Sequence, residues 1–233
     1  MKTIGFIGGM SWESSLEYYR IANEKVRELL GGFASCRCLM YSVDFAQVES
    51  LQHAGDWHAL DALMADAAKR LYRGGADLIV LCTNTMHLCA GAIRAATPLP
   101  LLHIAEATGQ RIASRNLKTA GLLGTKFTME QDFYKSVLKT HYGIKTLIPG
   151  PDERQAIHDI IYGELVHGVI RKTSRETFKS IIHNLQGQGA EGIILGCTEI
   201  PLLVSQADAN LPLFDTTRIH AEEAVFLALN SEP

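Results

Sequence analysis

The hydrophobic pattern of this chain occurs twice. Gly75–Thr85 reads G-A-D-L-I-V-L-C-T-N-T, and Gly189–Ile200 reads G-A-E-G-I-I-L-G-C-T-E-I. Each stretch is a Gly-Ala-acidic turn, a short apolar run and then small polar residues. A glycine followed by a short continuous apolar run predicts a buried strand of a parallel sheet. The polar residues then fall just past the carboxyl end of the strand, where open α/β sheets bind ligands. Two further echoes keep the same order and nearly the same offset: Lys118–Gly124 repeats Lys2–Gly8, and Leu211–Phe214 repeats Leu99–Leu102. Three matches in register argue for two similar α/β halves. In this alignment Cys197 falls on Thr83, and a single cleft between the halves would carry them on opposite walls.

Taken in order, Thr3–Ile7 is predicted as a strand ended by Gly8-Gly9. A helix follows, with Ser14-x-x-Glu17 as its capping box and Leu16, Tyr19, Ala22, Val26, Leu29 and Leu30 on its apolar face. Gly31-Gly32 stops it. Cys38–Val43 is the second strand, Asp44–His53 a loop or short helix, and Asp56 caps a helix to Arg73 that leads into the strand before Thr83. Thr85 to Ala95 is a short helix, ended at Thr97-Pro98. The second half starts with Leu99–His103 and a helix over about 105–115, then strand Thr119–Leu123. Thr128-x-x-Gln131 caps a helix to about Tyr142. Strand Ile144–Ile148 precedes helices near 152–167 and 174–188, and a short helical stretch follows Ile200. Strand Leu211–Phe214 and a helix from about Thr217 close the chain. This alternation predicts α/β architecture: two pseudo-symmetric Rossmann-like domains with parallel sheets and an active-site cleft between them. The expected boundaries are 1–98 plus 210–233 for the first domain and 99–209 for the second.

Composition narrows the function. The chain has 233 residues, enough for one large or two small domains. Its net charge of −3 gives no reason to expect nucleic acid or a membrane as partner. No apolar run approaches the length of a membrane span, and no leader pattern opens the chain. Five cysteines lack a disulfide-framework spacing and read as free thiols of a cytoplasmic protein. Cys36-x-Cys38 lies in an apolar alternating run and reads as buried strand cysteines rather than a metal site. No metal-ligand cluster is expected.

Three places carry candidate chemistry. Gly5-x-x-Gly8-Gly9 lacks the dinucleotide spacing but suits an anion-binding turn at a helix N-terminus, with a structural turn as the alternative. Cys197 follows a buried strand, and Thr198 and Glu199 begin a helix whose N-terminus would favour the thiolate. In Cys82-Thr83-Asn84-Thr85 the alternation of a strand keeps Cys82 and Thr83 from both facing the cleft, and the alignment of the two halves puts Thr83 in the cleft and Cys82 in the core. His87 reads as a helix-surface residue rather than a base.

Ile7–Glu13 (I-G-G-M-S-W-E), Cys82–His87 (C-T-N-T-M-H) and Gly196–Ile200 (G-C-T-E-I) together resemble the aspartate/glutamate racemase family. The likeness is nearest to bacterial members described as L-aspartate/glutamate-specific or broad-specificity amino-acid racemases, and it covers the whole chain. The resemblance implies a cofactor-independent racemase in which two cysteines on opposite walls act as acid and base. Carried over, Cys197 removes the α-proton of the L-isomer, and the opposing position holds Thr83 instead of cysteine. Racemases nearest to this chain also carry threonine there. Gly9, Met10, Ser11, Asn84, Thr85, Thr125, Thr198 and Glu199 would contact the amino-acid substrate near the strand ends. Arg171, and more weakly Gln52, would meet a distal carboxylate, a solvated surface charge being the other reading of Arg171. The family commonly forms homodimers. Alternatives are a cis-trans isomerase or decarboxylase of the same superfamily, or a small-molecule-binding protein that lost catalysis through Thr83.

Overall fold

The computed structural model describes residues 1–230. Its first half runs β1 (Ile4–Gly8), α1 (Trp12–Leu30), β2 (Cys38–Ser42), α2 (Phe45–Ala54), α3 (Trp57–Arg73), β3 (Leu78–Leu81), a 3₁₀ turn over Thr85–Cys89, α4 (Ala90–Ala96) and β4 (Leu101–Leu102). The second half continues with α5 (Ile104–Ala113), β5 (Thr119–Gly124), α6 (Lys126–Glu130), α7 (Asp132–Tyr142), β6 (Lys145–Leu147), α8 (Pro151–Gly163) and α9 (Lys172–Gly187). β7 (Gly192–Gly196), α10 (Ile200–Leu203), β8 (Leu213–Asp215) and α11 (Thr216–Asn230) complete it. Each half forms a four-stranded parallel sheet, ordered β2-β1-β3-β4 and β6-β5-β7-β8. The two orders are the same permutation, as the repeated sequence pattern predicts. Among the described residues no helix is long and apolar enough to cross a membrane.

The first unit comprises Met1–Ile104 and the chain from His220 onward. β1 is its centre: Ile4 pairs with Cys38 on one side and Leu78 on the other. β1 and β3 are buried at every position, which is why they read as unbroken apolar runs. Their alternating side chains feed two cores. Ile7, Ile79 and Leu81 pack with Leu60, Met64, Ala67 and Leu71 of α3. Ile4, Phe6, Val80 and Cys82 pack on the other face with Tyr18, Ile21 and Val26 of α1 and Ala221 and Val225 of α11. Cys82 is thus a core residue, as the alternation requires.

The second unit is Ala105–Ile219. β7 is fully buried, and its glycines let neighbours close in. A Cβ on Gly196 would stand 2.8 Å from the Leu123 carbonyl, and one on Gly124 would stand 2.9 Å from the Gly196 carbonyl. Only glycine fits where these two strand ends press together.

Three expectations are corrected. Helix α1 begins three residues earlier than its predicted cap, with Ser11 as N-cap, and its buried stripe is Ser14, Ser15, Tyr18, Ile21, Ala22 and Val26. Leu16, Tyr19, Leu29 and Leu30 are exposed. Ala22 and Val26 of the expected face are buried, but the stripe opens with two serines that serve the sheet, so apolar periodicity set the face partly toward solvent. Likewise Thr125, still extended as it leaves β5, caps α6 in place of Thr128, and extended Gln131 separates α6 from α7. The strand expected to return to the first domain stays in the second: Leu213, Phe214 and Asp215 pair with Ile193, Ile194 and Leu195 of β7. Its echo, Leu101–Leu102, pairs with β3. Each is the fourth strand of its own sheet, and only the following helix α11 crosses to the first unit's core.

The corrected face of α1 separates two adjacent tyrosines. Tyr18→Ala, which empties a fully buried site, is expected to cost about 3–5 kcal/mol. Tyr19→Ala, on the exposed side, is expected to stay within about 0.5 kcal/mol. Urea denaturation midpoints of the two variants check this.

Candidate active site

At the first sheet the polar groups gather where β1 and β3 end. Gly9 has φ +94°, and a Cβ there would lie 2.2 Å from the Val43 carbonyl, so the turn admits only glycine. Its N–H donates to Ser15 Oγ at 2.8 Å, and Ser15 Oγ donates to the Ser11 carbonyl at 3.0 Å. The Gly9 amide predicted to meet a substrate anion is therefore taken by Ser15. Met10 and Ser11, joined by a cis peptide, are buried, and Ser11 Oγ accepts from the Ser14 amide at 3.4 Å as the cap of α1.

Beyond β3, the Thr83 amide donates to the Leu81 carbonyl at 2.8 Å, and Ser14 Oγ donates to the Cys82 carbonyl at 3.2 Å. Thr83 itself is half-buried, whereas Cys82 is sealed in the core, where burial pushes its thiol well up. Asn84, Thr85 and Gln52 are buried nearby in the sequence's own unit, and Gln52 Nε2 donates to Met86 Sδ at 3.1 Å. His87 corrects another expectation: it is 2% exposed, not a surface residue. Its Nε2 accepts from the Ile104 amide at 3.1 Å, which can only donate, so Nδ1 carries the proton and gives it to the Thr83 carbonyl at 2.7 Å. His220 is held the other way round, Nε2–H to the Leu102 carbonyl at 3.0 Å and Nδ1 accepting from Tyr18 at 2.8 Å. Burial holds both rings neutral, with pKa pushed down to about 3.

At the second sheet, Cys197 and Thr125 are the residues immediately past the paired Gly196 and Gly124. Thr125 is buried and caps α6, its Oγ1 accepting from the Thr128 amide at 3.3 Å. Thr216 Oγ1 donates to the Leu195 carbonyl at 2.8 Å, anchoring the end of β7 from behind. The thiol of Cys197 lies 2.9 Å from Glu199 Oε2, which also accepts from Thr198 Oγ1 at 2.8 Å. Glu199 is buried. The expected thiolate-favouring helix N-terminus is only the four-residue α10, which starts at Ile200, and the nearer charge is the Glu199 carboxylate. Desolvation and that carboxylate push the Cys197 thiol well above its ordinary value. Thiol and carboxylate are thus joined by one hydrogen bond and act on each other directly. Arg171 is exposed, and its guanidinium lies 3.8 Å from Glu164.

Sequence reasoning put Glu199 among the substrate contacts and missed its bond to the thiol. It also missed Ser14, Ser15 and Thr216, which satisfy the strand ends. Their one signal is position: hydroxyl residues in the first turns of the helix that follows a glycine turn, or directly after an apolar strand.

Two outcomes follow. Glu199→Gln removes the neighbouring charge, so the thiol pKa falls and alkylation of Cys197 by iodoacetamide at pH 7 is expected to speed up several-fold, read by intact mass. The buried neutral histidines bind protons in the unfolded chain below its ordinary pKa of 6.5 but not in the native one until about pH 3. The unfolded state is therefore favoured as pH falls through this window, and stability is expected to drop by about 1.4 kcal/mol per pH unit for each histidine. Urea titrations between pH 7 and pH 4.5 measure that slope.

Comparisons with known proteins identify the family. Residues 7–224 match the family described as Asp/Glu/Hydantoin racemase. The broad specificity amino-acid racemase RacX of Bacillus subtilis (strain 168) is 27% identical over 178 residues, 76% of each chain. A Yersinia pestis protein described as a candidate Asp/Glu racemase superposes with a TM-score of 0.94 at 50% identity, over 99% of this chain and 100% of its own. An aspartate racemase homologue from Pyrococcus horikoshii OT3 gives 0.86 at 34% identity, over 99% and 100%. With its two like-ordered parallel sheets, its C-T-E strand end and a match over nearly its whole length, the chain belongs to the Asp/Glu/hydantoin racemase family and is an isomerase.

Proposed function

We propose that the protein is an amino-acid racemase that moves a proton at the α-carbon without a cofactor, using Cys197 and Thr83 from opposite faces of the substrate. The observation that carries the proposal is the Cys197–Glu199 pair at the end of β7, a one-proton, one-charge base. In the thiolate form, with the proton on Glu199, sulfur takes the α-proton of the L-isomer and the C–H electrons pass to the α-carbon. A proton from the Thr83 side forms the new C–H bond on the other face. Water restores that proton, and the thiol releases its own through Glu199, so the cycle is balanced. Thr83 is half-buried at the end of β3, the position that matches Cys197 in the repeat.

Aspartate and glutamate, or a broader set as the name of RacX says of that enzyme, are the proposed substrates. Ser11, Asn84, Thr85, Thr125 and Thr198 are the proposed contacts to the α-carboxylate and ammonium, with Gln52 and Arg171 for a distal carboxylate. The proposal includes a homodimer. Trp12, Leu16 and Tyr19, exposed along one stripe of α1, and Phe33 beyond it are apolar side chains that such an interface would cover.

A hydroxyl is a far weaker acid than a thiol, so reprotonation from the Thr83 side is the slow half of the reaction. L- and D-isomers have equal free energies in water, and kcat/KM must therefore be equal in the two directions. The asymmetry shows instead in isotope exchange. In D₂O an L-substrate identified by a D/L-resolved screen is expected to gain α-deuterium with retained configuration faster than D-isomer forms. Thr83→Cys is expected to narrow that gap, and Cys197→Ser to lose roughly 10²–10⁴-fold of both processes. Retained exchange that never exceeds inversion, with Thr83→Cys unchanged, would remove Thr83 from the proposed role.

A further inference from the structure

The first unit contains a buried cluster that the chemistry above does not use. His87, His103 and His220 come from the 3₁₀ turn after β3, the residue after β4 and the first turns of α11, and all three are buried. The ring centroids of His87 and His103 are 4.5 Å apart, and those of His87 and His220 are 5.6 Å apart. His220 is itself fixed at both nitrogens, by Tyr18 and by the Leu102 carbonyl. His87 is fixed at both of its own, by the Ile104 amide and the Thr83 carbonyl. The His87 ring is thus walled in by two others and pinned at each end.

What it pins is the peptide of Thr83. That peptide leaves the ladder: its amide turns back to Leu81, while Ser14 holds the preceding carbonyl, of Cys82. The Thr83 carbonyl itself accepts from the Nδ1–H of His87, at 2.7 Å. With the Cys82–Thr83 peptide held by Ser14 and the Thr83–Asn84 peptide held by His87, both planes that flank the Thr83 Cα are fixed, and with them the direction in which its side chain leaves. We infer that His87 is a positioning residue for Thr83: as the Nδ1–H tautomer it grips the Thr83 carbonyl and so sets where the Thr83 hydroxyl stands. It does not exchange protons with a substrate, since both nitrogens are engaged with backbone. The inference rests on the racemase reading for its effect on turnover and on geometry alone for its tautomer.

The two ends of the ring can be tested separately. The side-chain amide of asparagine stands as many bonds from Cα as Nδ1 does, and that of glutamine as many as Nε2. His87→Asn keeps a donor for Thr83, whereas His87→Gln keeps a partner for Ile104 and drops Thr83. The readout is the ratio of D-isomer formation to retained deuterium uptake for an L-substrate in D₂O. Cys197 governs proton removal in both processes, and Thr83 governs only the first. Loss of one positioning hydrogen bond in His87→Gln is expected to lower the ratio by about tenfold, with His87→Asn restoring it to within about threefold of wild type. If both variants slow exchange and inversion equally, His87 serves the fold alone and the inference falls.

Nitrogen-15 NMR of histidine-labelled protein gives a second measurement that needs no activity. The wild type is expected to show a neutral Nδ1–H histidine that does not titrate between pH 5 and pH 8 and that vanishes in His87→Asn. Absence of that resonance overturns the inference even in an active enzyme, and it decides the matter if His87→Gln fails to fold. Wild-type protein that shows the resonance but neither exchanges nor inverts any amino acid defeats the racemase reading, and the catalytic consequence assigned to His87 falls with it.

Discussion

A parallel strand that stops inside a protein leaves amides and carbonyls with no neighbouring strand to meet them, and a buried one must be met by something other than water. Both sheets here end in that condition. Ser15 takes the Gly9 amide, Ser14 the Cys82 carbonyl, His87 the Thr83 carbonyl and Thr216 the Leu195 carbonyl. Thr83 carries one of the carbonyls so held, and Cys197 stands two residues beyond another. The closure of the sheets and the placement of the site are therefore one arrangement, and a hydroxyl or imidazole lost from the first disturbs the second.

The two halves use opposite electrostatics. Around Thr83 the ionisable groups are kept uncharged: burial holds His87 and His220 neutral and Cys82 protonated. Around Cys197 the nearest ionisable group is the Glu199 carboxylate, which accepts from both the thiol and Thr198, and burial together with that carboxylate pushes the thiol up.

Much of the fold was legible because a buried parallel strand announces itself as an unbroken apolar run, and because the second half repeats the first in order. Asp56 before α3 and Gly31 after α1 also acted as their residue types demand. The failures share a cause. Ser14 and Ser15 look like cap residues, yet they face the sheet, Ser14 donating to the Cys82 carbonyl and Ser15 accepting from the Gly9 amide, and the buried side of α1 lies away from its leucines. His87 could not be placed from sequence because Ile104, which fixes its tautomer, is seventeen positions away. Glu199 was visible beside Cys197, but sequence order alone could not say whether the nearest influence on the thiol was a helix terminus or a carboxylate.

Helix α11 has a consequence for how the molecule is assembled. Its Ala221, Ala224 and Val225 complete the core under Ile4, Phe6 and Val80, Ala228 receives the Lys2 amide, and His220 receives the Tyr18 hydroxyl across 202 positions of sequence. The second unit, by contrast, is one continuous stretch of chain. During synthesis the N-terminal sheet must wait, one face covered by α1 alone, until the segment that follows the other unit has emerged. The N-terminal half is thus the first part made and the last part finished, and the interval between is when its apolar face is open to the wrong partner.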